Sequence, residues 1–241
     1  MENKRGKIFV IEGTDSSGKG TQTDLLYDRL NSEGRPTEKI SFPFYETPSG
    51  RIIGQCYLGK KDLGEELGWE GDYTWFGDKA NDLGPLETSA LYALDRSFSA
   101  DYIRDTINSG KNLIIDRYYQ SNMAHQGGKY SDPEKREELF EKLEWLELEY
   151  FGIPKEDATV FLYLPTHIAF ELRKNRDGGK ENKDIHENDL EHLKNAENTY
   201  LQLSDKYGWD KVDCEDKSKG SIKTRQEIHG QVYGHVKEVL D

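Results

Sequence analysis

An apolar run, Ile8 to Glu12, breaks off into Gly13-Thr14-Asp15-Ser16-Ser17-Gly18-Lys19-Gly20-Thr21, and a helix-forming segment follows at once from Gln22. No other stretch constrains the chain as strongly. Glycines at 13 and 18 let backbone N–H groups turn inward, a helix N-terminus adds partial positive charge, and Lys19 can reach the outer groups of a multiply charged anion. A strand before such a turn and a helix after it are the context that a phosphate-binding loop requires.

The rest of the chain supplies the matching fold. Ile8 to Ile11, Leu113 to Ile115 and Thr159 to Leu164 are short, β-branched and bounded by polar residues, so they read as buried parallel strands, with Ile40 to Phe42 and Lys211 to Cys214 as weaker candidates. Segments with helical spacing lie between them, Leu25, Leu26 and Leu30 falling on one face. The alternation predicts an α/β chain whose strand ends open on one ligand crevice. No repeat or linker divides it, so residues 1–241 read as one domain. Residues 59–84, where glycines and carboxylates alternate with aromatics, read as a surface excursion, and the polar stretch from Lys174 to Asp189 reads as a mobile loop, cationic near its start.

The net charge of -13 argues against general affinity for nucleic acid or anionic membrane, so an anionic ligand must be held by local cations. Cys56 and Cys214 stand outside any metal or redox spacing and read as ordinary buried thiols. No apolar run reaches the roughly 18 residues of a membrane helix, and Met1 to Gly6 lacks the apolar stretch of a secretory signal. A cytoplasmic location is expected.

Gly20 stands where the common form of the loop has a Ser or Thr for magnesium. The Gly-Lys-Gly-Thr-Gln run resembles the adenylate kinase variant, which leaves the metal to water and to carboxylates elsewhere, Asp116 first. Downstream come Leu91-Tyr92-Ala93-Leu94-Asp95-Arg96 and Asp116-Arg117-Tyr118, with Phe42-Pro43-Phe44-Tyr45-Glu46-Thr47-Pro48-Ser49-Gly50 earlier. In this order the set resembles the thymidylate kinase family of P-loop nucleoside monophosphate kinases along nearly the whole chain.

The resemblance implies a three-layer fold on a five-stranded parallel sheet, ATP and Mg²⁺ as cosubstrate and metal, thymidylate as acceptor, a homodimer, and a lid over residues 173–189. It assigns Asp15 to the acceptor sugar and its positioning, although an Asp there is also an ordinary helix N-cap. Arg96 and Arg117 match the arginines that hold the acceptor nucleotide, a task suited to the planar guanidinium fork. Tyr92, one helical turn before Arg96, matches a ring against the base; Asn122 matches a reader of the base edge. His125 occupies a position where the family has a larger ring beside the sugar, so exclusion of a 2′-hydroxyl is expected to be relaxed. Phe44 replaces an arginine of many relatives, leaving Arg51, Arg96 or Arg117 to supply that charge. The lid reads Arg173, Arg176, then Asp184-Ile185-His186-Glu187, without the family's second arginine in that last run. Since Ser16 and Ser17 leave the phosphate loop without an arginine, Arg176, or next Arg173, is expected to act on the transferring group. The rival readings are another pyrimidine monophosphate kinase, a deoxynucleoside kinase with Glu12 as base, and a weakly active nucleotide-binding module.

Overall fold

The structure, a computed structural model, describes residues 4–60, 62, 63, 68, 83–176 and 190–241, and for 173–176 the backbone alone. Its elements in chain order are β1 (Ile8–Gly13), α1 (Lys19–Ser32), β2 (Thr37–Ser41), α2 (Pro48–Ile52) running into a π-helical turn (Ile53–Tyr57), α3 (Pro85–Phe98), α4 (Ala100–Asn108), β3 (Asn112–Asp116) and α5 (Tyr119–Gly127). They continue with α6 (Pro133–Glu144), a second π-helical segment (Trp145–Tyr150), β4 (Ala158–Tyr163), α7 (Thr166–Arg176), α8 (Leu190–Tyr207), β5 (Asp210–Asp213), a two-stranded hairpin of β6 (Glu215–Asp216) with β7 (Ser221–Ile222), and α9 (Arg225–Leu240).

Five strands form one parallel sheet in the order β2-β3-β1-β4-β5. Pleating decides which layer each residue joins. Ile8 and Val10 face a core with Ile103, Met123, Phe140 and Tyr200, whereas Phe9 and Ile11 face one with Leu26, Leu30, Ile228 and Val232. Burial on both faces is why these strands read as continuous apolar runs rather than alternating ones.

The expected strands lie at β1, β3 and β4, and the two weaker candidates overlap β2 and β5. Helix α1 opens at Lys19 rather than Gln22, so the lysine itself stands in the first turn. Both cysteines are buried and free. No helix among the described residues is long and apolar enough to cross a membrane.

The crevice is formed by hydrogen bonds that continue past the strand ends. Thr14 N donates to Leu162 O (3.1 Å), Arg117 N to Ile11 O (3.2 Å) and Phe42 N to Asp116 O (3.0 Å), so the exits of β1, β2, β3 and β4 are stitched side by side.

Candidate active site

The phosphate loop is held open by its backbone. Ser16 (φ 54) and Gly18 (φ 90) take left-handed conformations, and a Cβ at Gly13 would sit 2.6 Å from Ser17 Oγ and 2.7 Å from Leu162 O, which leaves room for glycine alone. Thr14 fixes the loop to the β4 exit: its hydroxyl donates to Leu164 O (2.7 Å) and accepts from Leu164 N (2.9 Å). Lys19 Nζ donates to Gly13 O (3.0 Å) and Thr14 O (2.9 Å), bridging its own loop. Burial, reinforced by Arg117, pushes the Lys19 ammonium down to about 8 against the pull of Asp116 and Asp15. Ser17 Oγ is buried with no partner among the described residues. Asp15 does not cap α1; the cap position is Gly18 and no side chain bonds there.

Beside the loop lies a cavity of about 310 Å³, lined by Asp15 together with Tyr92, Arg96, Asp116, Arg117, Asn122 and His125. Residues as far apart in sequence as Asp15 and Leu193 thus share one wall system. Arg117 leaves β3 at φ 65, a conformation costly for a non-glycine residue and frequent where a side chain must be aimed. Burial opposes its charge, but Tyr200, Asp116, Glu12 and Asp15 around it raise its hold on the proton. Burial also raises Asp116, with Lys19 and Arg117 pulling the other way. Asp116 Oδ1 is buried without a hydrogen-bond partner among the described residues. Asp116 Oδ2 lies 3.6 Å from where a Cβ on Gly20 would be, so this carboxylate borders the place of the missing hydroxyl. An orphaned carboxylate oxygen beside a phosphate loop suits a hydrated magnesium ion. No group of three or more candidate metal ligands occurs among the described residues, so water and ligand oxygens would complete such a shell.

Glu12 has a different task. It is fully buried and accepts from Tyr118 N (2.8 Å), Ser121 N (3.0 Å), Ser121 Oγ (2.7 Å) and Tyr200 Oη (3.0 Å), fastening β1 to the start of α5. Burial raises its carboxyl despite these bonds. It does not line the cavity.

Arg96 is only 2% exposed and donates through Nε (2.8 Å) and Nη2 to Glu147, a carboxylate buried completely. Glu147 Oε1 also lies 3.4 Å from Asn122 Nδ2, which donates to Ser89 O at 3.0 Å. One carboxylate therefore sets two of the expected acceptor-binding side chains. Asp95, next to Arg96, accepts from Phe44 N (2.8 Å) and Ser49 Oγ (2.6 Å) and so folds the loop after β2. Neither role was anticipated from sequence. Glu147 sits in an acidic run that looks like a solvated helix face, and the π-helical turn that rotates it inward has no sequence signature.

Phe44, read as the replacement for an arginine, packs against the core, and it is Tyr45 that lines the cavity. Arg51 Nε donates to Tyr45 O (2.8 Å) and Arg51 does not line the cavity. Tyr92 meets Tyr57 edge-on, with centroids 5.9 Å apart. His125 does not stand alone at the cavity wall: His192 of α8 stacks on it at 5.4 Å, Nδ1 to Nε2 3.3 Å, and also lines the cavity. Arg173 and Arg176 end α7, their side chains outside the described residues, as are most of 59–84 and all of 177–189. Lys60 is described, and it lines the cavity.

The family model described as thymidylate kinase matches residues 77–224. The thymidylate kinase of Schizosaccharomyces pombe is 29% identical over 168 residues, 70% of this chain and 66% of that protein. The human thymidylate kinase is 29% identical over 164 residues, covering 68% of this chain and 64% of its own length, so these alignments span just under two thirds of those relatives. A probable thymidylate kinase of Saccharolobus solfataricus is 26% identical over 208 residues, 86% of this chain and 88% of its own. Among solved structures, the thymidylate kinase of Candida albicans superposes with a TM-score of 0.67 at 22% identity over 97% of this chain and 92% of that one, a likeness of fold.

Proposed function

We propose that this chain, which belongs to the thymidylate kinase family, transfers the γ-phosphate of ATP to dTMP, giving dTDP and ADP on the way to dTTP. The observation that carries this reading is one cavity lined both by Asp15 of the phosphate loop and by Arg117, Arg96, Tyr92 and Asn122. In the reaction an oxygen of the acceptor phosphate attacks the γ-phosphorus, and the bond to the bridging oxygen breaks with its electrons leaving on ADP. Positioning and charge dominate such a barrier. Lys19 and the inward N–H groups from Gly13 to Thr21 hold the donor phosphates, while Arg117 and Arg96 present the acceptor. Asp15 accepts from the acceptor sugar. The acceptor phosphate is ionised near neutrality and needs no base, which agrees with Glu12 being committed to Tyr118, Ser121 and Tyr200. That commitment favours this reading over a nucleoside kinase. Magnesium, held by Asp116 and water, would neutralise charge on the donor. A lid arginine, Arg176 before Arg173, then acts on the transferring group, worth about 10³ to 10⁵ in rate in related chemistry. A homodimer is proposed with it, and exposed Phe98, Trp145 and Tyr150 on neighbouring helices supply apolar surface for one.

The test is ADP release over a panel of nucleosides and monophosphates. Thymidylate is expected to lead, with deoxyuridylate behind it by about the 1–3 kcal/mol of one methyl group in an apolar pocket. Uridylate reports on the imidazoles at the sugar. His125→Tyr is expected to sharpen the deoxy-to-ribo ratio in kcat/KM, and an unchanged ratio removes His125 from sugar selection. Preference for a purine monophosphate or for a nucleoside overturns the assignment, and absence of turnover leaves the binding-module reading. In single-turnover transfer, Arg176→Ala should be slower than Arg173→Ala.

The depressed Lys19 gives a pH signature. In the free protein it loses its proton as pH rises through about 8, and the unprotonated amine holds polyphosphate poorly. The profile of kcat/KM for ATP, which reports free-protein ionisations, is expected to fall about tenfold per unit above that pH while kcat holds longer. A profile flat to about pH 9.5 would contradict the buried placement of Lys19.

A further inference from the structure

We infer that Glu12 is a positioning residue for Arg117: it fixes the backbone beside that arginine so that the guanidinium meets the phosphate of the acceptor mononucleotide. The inference rests on the reading of the cavity as a monophosphate site, and it gives a task to a buried carboxylate that does not line it. Arg117 is the single residue between Asp116, the end of β3, and Tyr118, the N-cap of α5. It joins them at φ 65, a conformation that a residue with a side chain keeps only where its surroundings enforce it. Two adjacent residues of β1 do so. Arg117 N donates to Ile11 O (3.2 Å), and the next amide, Tyr118 N, donates to Glu12 Oε1 (2.8 Å). The amides on both sides of the Arg117 Cα are thus tied to one strand, and Arg117 lines the cavity from that fixed point.

The same carboxylate holds the helix that follows. A capping box satisfies the amides of the N-cap and of the third helical residue with side chains of the helix itself. In α5 those amides belong to Tyr118 and Ser121, and Tyr118 gives no side-chain cap, its hydroxyl being turned to Pro154 O. Glu12 Oε1 takes both amides instead, Ser121 N at 3.0 Å, so a residue of β1 does from outside what the helix does not do for itself. Its other oxygen accepts from Ser121 Oγ (2.7 Å) and Tyr200 Oη (3.0 Å), which also lie 3.0 Å from each other. Four donors hold the carboxylate in one orientation. Tyr200 is anchored in turn by stacking on Phe161 of β4, centroids 5.4 Å apart. Packing alone gives no reason for a carboxylate here, since burying one is costly and its strand neighbours Ile8 to Ile11 are all apolar. Aiming Arg117 does.

The experiment is calorimetric binding of dTMP and, separately, of ATP to the full chain, in wild type, Glu12→Leu, Glu12→Gln, Tyr200→Phe and Arg117→Met, with thermal unfolding of each. Glu12→Leu and Tyr200→Phe are also combined with Arg117→Met. Arg117→Met is expected to weaken dTMP about 10- to 100-fold, the range of one charge-assisted contact. Glu12→Leu should approach that loss while ATP stays within about threefold. Glu12→Gln, whose oxygen still accepts both amides, should stay within about fivefold for dTMP, and Tyr200→Phe should lose about three- to tenfold. In the Arg117→Met background the effects of Glu12→Leu and Tyr200→Phe should shrink to less than about twofold. A purely structural role moves other readouts: Glu12 directly precedes the phosphate loop, so a disturbed strand weakens ATP along with dTMP. That outcome overturns the inference, as do equal losses with and without Arg117, or dTMP affinity unchanged by Arg117→Met. Should Glu12→Leu fail to fold, Tyr200→Phe, which leaves Glu12 its two amide donors, decides the question in the same cycle. If wild type binds another monophosphate in place of dTMP, the cycle on that nucleotide tests the role of Glu12 while the thymidylate assignment falls. Binding of no monophosphate overturns both.

Discussion

Lys19→Ala is expected to lower kcat/KM by at least about 10² to 10³, the scale of one preorganised donor lost from a closed site, while the fold survives or becomes slightly more stable. Both halves follow from the same burial. The ammonium bonds Gly13 O and Thr14 O, yet its low proton affinity shows that the folded chain is strained to keep it charged. At pH 7 this lysine is protonated folded and unfolded alike, so its desolvation is carried in full. Between about 8 and the ordinary 10.5 the unfolded chain holds the proton more tightly, and the penalty is relieved as pH rises. The variant should therefore lose that pH-dependent gain in stability. Thermal unfolding from pH 7 to 10 beside an ADP-release assay tests it, and wild-type turnover in a folded variant would remove the loop from the mechanism.

Glu147→Ala is expected to cost about 3–5 kcal/mol, the penalty for leaving one buried charge without its partner. For a chain of this size that is roughly 6–20 °C in Tm. Arg96 cannot swing to water, being 2% exposed, and Asn122 loses a neighbour as well. The double variant Arg96→Met with Glu147→Leu should regain most of the stability, because an apolar pair of similar volume replaces a buried ion pair at little cost. It should not regain acceptor affinity, since Arg96 lines the cavity. Calorimetric unfolding and the KM for dTMP separate the two effects. A double variant that binds dTMP normally would reduce Arg96 to a structural ion.

What the sequence revealed and what it hid divide along a physical line. The phosphate loop was legible because its strand, turn, lysine and helix are contiguous, and each answers one requirement of an anion. Asp116 and Arg117 were legible because they stand directly after an apolar strand. Glu147 was not, since it acts through a partner that folding brings to it: Arg96 is 51 residues away. Glu147 lies in a π-helical turn, whose extra residue per turn shifts the facing set away from any 3.6-residue pattern. His192 was hidden for the same reason, meeting His125 across 67 residues. The positions of the strands were nearly readable, whereas the start of α1 was not, because Gly20 weakens the helical signal and Lys19 reads as loop.

The central place of β1 has a consequence for how the protein is made. Its neighbours are β3 and β4, at Val10 opposite Ile115 and Thr159, and Thr14 waits for Leu164 before its hydroxyl has partners. At about 5–20 residues per second of synthesis, the strand that carries the phosphate loop emerges roughly 5–30 s before the strands that flank it. During that interval its apolar residues and unpaired edges are open to other chains. A nascent chain arrested before Leu164 should therefore neither protect β1 from proteolysis nor hold nucleotide, even though its phosphate loop is complete in sequence.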